Sequence, residues 1–255
     1  MNEFDQVVTL ISLSMGVAWA SGLNLYAAIL VLGIGGATGN VDLPPALQVV
    51  QDPMVIMAAG LMYAVEFFAD KTPGVDTAWD SLHTFIRIPA GAMLAAGSVG
   101  DVTPALQVAA GILGGSLTSV THAAKASSRV LINTSPEPFS NWTASIMEDV
   151  AVIGGLWTAL NHPVLFLVLL VLFILLLIWM LPKLWRGAMI VLRKLGEWLG
   201  IVDKSVVSET VPDTVSQLQK LQDLKQAGAL TQEEFEAAKA KVLASSEVNP
   251  PPPTG

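Results

Sequence analysis

The sequence predicts an all-α integral membrane protein of about six transmembrane helices with an internal duplicated helical hairpin, followed by a small cytosolic helical hairpin. Three observations predict it. Of 255 residues, 53% are hydrophobic and only 13% charged, with a mean hydropathy of +0.59; soluble domains carry about 25% charged residues. Val164 to Leu181 is an eighteen-residue run without a charge or a glycine. At about 1.5 Å per residue it covers about 27 Å, close to the hydrocarbon thickness of a bilayer. Finally, Pro45-Ala-Leu-Gln-Val49 recurs as Pro104-Ala-Leu-Gln-Val108, and the same offset of fifty-nine carries Glu66 and Asp70 onto Lys125 and Arg129. At an offset of sixty-three, Trp79 falls on Trp142, Gly91 on Gly154, and Arg87 beside Glu148 and Asp149. The pattern repeats with its charges reversed, which suits two hairpins that face one another.

Hydropathy places helices near 7–37, 53–70, 79–98, 104–130, 141–160 and 163–181. The first is too long for one untilted span, and Ser21-Gly-Leu-Asn24 lies in its middle. A broken helix, a re-entrant pair and a long tilted helix all fit that pattern. Lys183, Arg186, Arg193 and Lys194 follow the last span, so that end is expected in the cytoplasm. Counting back puts Lys71 and Arg129 on the same side, and the loops at 38–52, 99–103 and 161–162 contain neither Lys nor Arg.

The stretch 183–200 reads as an amphipathic interfacial helix, with Trp185, Leu192, Leu195 and Leu199 among its cations. A polar linker is expected at 201–215, a helical hairpin at 216–244 and a Pro-rich tail at 245–255. In the hairpin, Leu218, Leu221 and Leu224 mark the first helix and Gly228 suits its cap. Thr231 and Glu234 have capping-box spacing for the second helix, whose apolar face is Phe235, Ala238 and Val242.

Composition also excludes. The chain has no cysteine, hence no disulfide or thiol chemistry. A net charge of −8 argues against a nucleic-acid partner, and the acidic start Met1-Asn-Glu-Phe-Asp5 argues against a cleaved signal peptide. No nucleophile elbow, phosphate loop or dinucleotide fingerprint occurs. His83 and His122 with Glu66, Glu148 and Asp149 lack metal-ligand spacing, so no catalytic residue, metal or cofactor is expected.

The ionisable residues form stripes. Gly111, Gly115, Thr118, His122, Lys125 and Arg129 recur at helical spacing. Asp76, Asp80, His83 and Arg87 form a second stripe, Glu66 and Asp70 a third, and Asn141, Ser145 and Glu148 or Asp149 a fourth. All four deepen from the cytoplasmic side and could line a charged cavity open to it. Charges at that depth face protein or water. In one reading they neutralise one another, Glu66 and Asp70 meeting Lys125 and Arg129. In another they bind a solute, the candidates being Asn24, Glu66, Asp70, His83, Arg87, His122, Lys125, Arg129, Asn141, Glu148 and Asp149. Lys71 and Arg129 could instead snorkel to the interface.

Ser21-Gly-Leu-Asn-Leu-Tyr26, Glu66-Phe-Phe-Ala-Asp-Lys-Thr-Pro73, His122-Ala-Ala-Lys125 and Glu148-Asp149 resemble a bacterial polytopic membrane family, a domain of unknown function (DUF4126), over about residues 8–160. That resemblance implies a multi-pass protein of the bacterial inner membrane and supplies no activity. Leu221 to Glu236 resembles the short C-terminal domain SHOCT, a helical hairpin appended to many bacterial proteins. It implies association with a second copy or a protein partner through 216–244, because so short a hairpin makes no stable core alone. Together these readings lead to an expected transporter or translocation pathway for a small polar or amphiphilic solute. A membrane scaffold and an intramembrane enzyme using His122 with a carboxylate are the alternatives.

Overall fold

The computed structural model describes residues 3–72, 74–100, 102–134, 138–198, 218, 221–225 and 231–247. These residues are helical, with no strand among them. The helices are α1 (Glu3–Ala37), α2 (Pro53–Ala69), α3 (Val75–Ser98), α4 (Pro104–Ile132), α5 (Pro138–Asn161), α6 (Pro163–Trp198) and α7 (Gln232–Glu247), with a 3-10 segment at Pro45–Gln51. Four of them open on a proline, which lacks the N–H that a first helical turn cannot use. That is why their starts were legible. The chain forms two compact units, Met1–Lys194 and Leu195–Gly255.

In the first unit α1 is the central helix and packs against α2, α3, α4 and α5. It can do so because it is apolar and small on nearly every side: Val17, Ala18, Ala20, Leu25, Ala27, Ala28 and Leu32 are all buried. Where helices meet, small residues let backbones approach and hydroxyls bond across. Thr118 donates to the Ala18 carbonyl (2.8 Å), Ser14 to Ala95 (2.9 Å) and Ser12 to Ala159 (2.9 Å). Gly91 and Gly22 leave no room for a methyl group against Thr118 and Thr121. Along α6, Phe166 and Phe173 meet the Trp19 ring edge-on, and Phe166, Leu170 and Leu177 are its buried side.

Among the described residues two helices, α1 and α6, are long and apolar enough to cross a membrane, and a third span results if the 3-10 segment and α2, bent by 65°, count as one. Six spans are not reached on that measure. The physical reason is specific: α3 and α4 bury Asp76, Asp80, Arg87, His122, Lys125 and Arg129, which lowers their hydropathy. Their outward faces stay apolar, with Leu82, Phe85, Met93, Ile112 and Leu113 exposed.

Of the three forms open to the first helix it takes the broken one, two helical stretches meeting at Asn24, where φ is −148° and ψ 99°. Two expectations change in detail. The amphipathic stretch expected at 183–200 is no separate helix, since α6 runs on through Pro182 to Trp198. The recurring pentapeptide has two fates: Pro45 opens the 3-10 segment, while Pro104 opens α4. The difference lies downstream, where Pro53 disfavours helical geometry at Asp52 and forces a new start, capped by the Asp52 side chain on the Met54 amide (2.7 Å). No proline occurs between Val108 and Ile132, so α4 continues.

In the second unit, the Thr231 hydroxyl and the Glu234 carboxylate form the expected reciprocal box at the start of α7. Lys225 stands over the Phe235 ring at 4.6 Å. The expected linker at 201–215, the Gly228 cap and the Pro-rich tail from Asn249 lie outside the described residues.

Candidate functional site: a buried charge network

Asn24 breaks α1 because its side chain replaces the main chain as a hydrogen-bond partner. Its Oδ1 accepts from the Ala27 amide (3.0 Å), capping the second half of the helix as an N-cap residue does. The Leu23 carbonyl, which an unbroken helix would pair with Ala27, is thereby released. Lys125 Nζ donates to it at 3.0 Å and Arg87 Nη1 at 3.3 Å. Asn24 Nδ2 in turn donates to Asp149 at 3.0 Å. Cations therefore meet the C-terminal end of the first half, and an anion meets the N-terminal end of the second, each complementing the local dipole.

Around this break the charges join. Glu66 Oε1 receives Arg87 Nη2 (2.5 Å) and Lys125 Nζ (3.2 Å). Lys125 also stands 2.8 Å from Asp70, 3.5 Å from Glu148 and 3.8 Å from Asp80. Arg129 pairs with Glu148 (2.7 Å) and with Asp70 (3.6 Å), and donates to the carbonyls of Asp70 and Asn141. Glu66 and Asp70 thus meet Lys125 and Arg129, as the reversed charges of the recurring pattern suggested. Arg87, Arg129 and Glu66 are fully buried. Arginine suits such a place, because its fork serves several acceptors at once.

These charged residues are buried in contact with one another. A groove of about 470 Å³ lies beside them, between α3, α4 and the part of α6 near Trp185. Phe85, Ile88, Met189 and Leu192 make it apolar, while Thr84, Ser119, His122 and Ser127 give it one polar edge. His122 joins groove to network. Its Nε2 lies 2.8 Å from Thr84 Oγ1 and 3.1 Å from the Asp80 carbonyl, and Arg87 Nη1 lies 3.2 Å from its Nδ1. A guanidinium only donates, so Nδ1 accepts and the ring proton sits on Nε2. Among the described residues, no hydrogen bond links His122 to a carboxylate.

His83 is apart from this group. It stacks on Trp79 at 4.1 Å, donates from Nδ1 to the Trp79 carbonyl and meets the Tyr26 hydroxyl with Nε2 (3.1 Å). Asn141 belongs to an outer chain, donating to Asn133 (2.7 Å), which donates to Asp76 (2.7 Å). Lys71 does not simply snorkel: it stands 2.9 Å from the Phe67 ring centroid and donates to Ser145 Oγ.

Several members were missed in the sequence. Tyr63 donates to Asp149 (3.0 Å), and Thr84, Asn133 and the Leu23 carbonyl complete the bonding. Tyr63 had a signal, lying three residues before Glu66 on the same helical face. A main-chain carbonyl has none.

A model of the family described as a domain of unknown function (DUF4126) matches residues 11–183. A model of the short C-terminal domain, SHOCT, matches residues 216–243. No curated protein and no solved structure matches.

Proposed function

The chain belongs to the family defined by the domain of unknown function DUF4126, and from that premise we propose that its membrane part moves a small polar or amphiphilic solute, which enters by the groove between α3, α4 and α6. One observation carries the reading: the groove ends on His122, which is bonded to Arg87, so a solute in the groove is one hydrogen bond from the charge network. Apolar walls with a single polar edge suit an acyl chain carrying a polar head. In this reading α2–α5 cross as well, the membrane is a bacterial inner membrane and this end faces the cytoplasm, an orientation that the basic run Lys183, Arg186, Arg193 and Lys194 on α6 supports under the positive-inside rule.

The test uses a single-chain lysophospholipid bearing a dansyl group as probe. In proteoliposomes, energy transfer from tryptophan reports binding, and loss of dansyl signal to an external quencher reports movement between leaflets. The protein should accelerate that movement over empty vesicles, and Ala123→Trp, which fills the groove, should abolish both signals. Equal rates with and without protein would refute the proposal.

A second reading, a membrane scaffold, draws on the pairing itself. Arg87, Lys125 and Arg129 are each matched by a carboxylate within 3 Å, as purely structural ion pairs are. Here the SHOCT segment recruits a second copy or another protein. Deleting residues 216–255 would then abolish cross-linked species in native membranes, whereas the carrier keeps its probe movement without the tail.

A further inference from the structure

We propose that the buried network binds one proton, whose resting place is the carboxyl group of Asp80. Four carboxylates, Glu66, Asp70, Asp80 and Glu148, stand within ion-pair distance of three cations, Arg87, Lys125 and Arg129. Adding the neighbouring Lys71 and Asp149 leaves the same surplus of one negative charge, while Asp76, also buried on α3, is held by main-chain amides and Asn133 and is in no ion pair among the described residues. His122 does not supply the missing positive charge, because Arg87 donates to its Nδ1 and leaves the ring neutral. An uncompensated charge away from water is costly, and the group protonates instead. A proton is also the one cation that needs no cavity among side chains already in contact.

Asp80 is the carboxylate that the pairing serves least. It is 1% exposed, and neither of its oxygens accepts a hydrogen bond. Its nearest cations are Arg87 at 3.3 Å and Lys125 at 3.8 Å. Each makes a shorter contact elsewhere, Arg87 to Glu66 at 2.5 Å and Lys125 to Asp70 at 2.8 Å. Arg129 is taken by Glu148 at 2.7 Å. Each of the other three carboxylates has a cation within 3 Å, so Asp80 is the one whose charge is least compensated.

The groups around Asp80 are Glu66 and Asp70 from α2, Arg87 from its own helix, His122, Lys125 and Arg129 from α4, and Glu148 from α5. From α1 comes the uncharged Leu23 carbonyl, bonded to Lys125 and Arg87. These groups titrate as a set. The step is formation of one O–H bond with a proton from water, by way of Glu148, whose side chain is 16% exposed. Loss of that proton restores the surplus charge, and His122 at the edge of the groove bonds the main-chain carbonyl of the same residue.

Infrared spectra of the full-length protein in lipid nanodiscs test this. At neutral pH they should contain the carbonyl stretch of a protonated carboxylic acid. Labelling the aspartate carboxyl carbon with the heavy isotope should shift the band, and Asp80→Asn should remove it. If Asp80→Asn does not fold, persistence of the labelled band in Asp70→Asn, Asp76→Asn and Asp149→Asn gives the same discrimination among the buried aspartates. Absence of the band from the wild-type protein at neutral pH overturns the proposal. So does a band that moves with labelled glutamate, or one that survives in folded Asp80→Asn.

Discussion

Asn24 and Asp149, 125 residues apart, are joined by a 3.0 Å hydrogen bond from an amide to a carboxylate. Through it α5 is tied to the only non-helical residue of α1. Asn24→Ala should lose both this bond and the cap on Ala27, a cost of about 0.5–2 kcal/mol from the cap alone. Asn24→Asp keeps a capping oxygen but sets a second carboxylate against Asp149, so it should be the more damaging change. Denaturant unfolding in mixed micelles orders the two; an Asp variant more stable than the Ala variant would contradict the geometry.

Lys125 serves Glu66, Asp70 and the Leu23 carbonyl together. Lys125→Met should therefore destabilise the membrane unit by about 3–5 kcal/mol, since the carboxylates it leaves are buried. Exchanging charges by combining Glu66→Lys with Lys125→Glu should rescue poorly, because Arg87 then faces a cation at position 66. The same unfolding measurement checks both variants.

Gly154 and Gly155 are neighbours with opposite surroundings. A methyl group at Gly154 meets nothing within 4 Å, while one at Gly155 runs into the Trp19 ring. Gly154→Ala should be neutral or stabilise by up to about 1 kcal/mol, as alanine does in a helix. Gly155→Ala should destabilise, and quench or shift tryptophan fluorescence as Trp19 is displaced. Equal effects would mean that α5 and α1 do not pack in this register.

Topology is read by single cysteines at exposed positions. Ser98 is unsuitable, being fully buried, whereas Thr38, Asn161, Thr72 and Thr134 are exposed. With α1 to α6 all crossing, an impermeant reagent added outside should label the first two and spare the last two. Labelling of Thr72 or Thr134 from outside would reverse the orientation.

At the start of α7, the amide and hydroxyl of Thr231 hold the Glu234 carboxyl below its ordinary range. A depressed value in the folded state means the contribution is present above the unfolded value and is lost as pH falls through the folded one. Hydrogen exchange at the first turn of α7 should therefore accelerate on acidification, and Glu234→Gln should flatten that dependence. An unchanged profile in the variant would assign the fraying to another group.

Much of the fold was legible because its boundaries are chemical. Prolines at positions 53, 104 and 163 open helices where no N–H is needed. The meeting of Glu66 and Asp70 with Lys125 and Arg129 was legible for a similar reason, since buried charges seek partners. How closely the charges pack was not legible, because spacing shows which face carries charges, not what a neighbouring face places between them. Arg87 lies there, reaching Glu66, His122 and the Leu23 carbonyl. Equal pentapeptides at Pro45 and Pro104 took different shapes because Pro53 lies outside the repeat.

The released carbonyl of Leu23 has a mechanical consequence. Its two donors come from α3 and α4, while the amide beside it is tethered to α5. Three helices thus grip one peptide of the central helix, in the manner of a bolt through a hasp. Sliding any of them along α1 strips the carbonyl of a donor or Asp149 of its amide at a buried position. Motion at this point is therefore stepwise: the grip either holds or lets go of several contacts at once, and a gradual drift of one helix past another is barred.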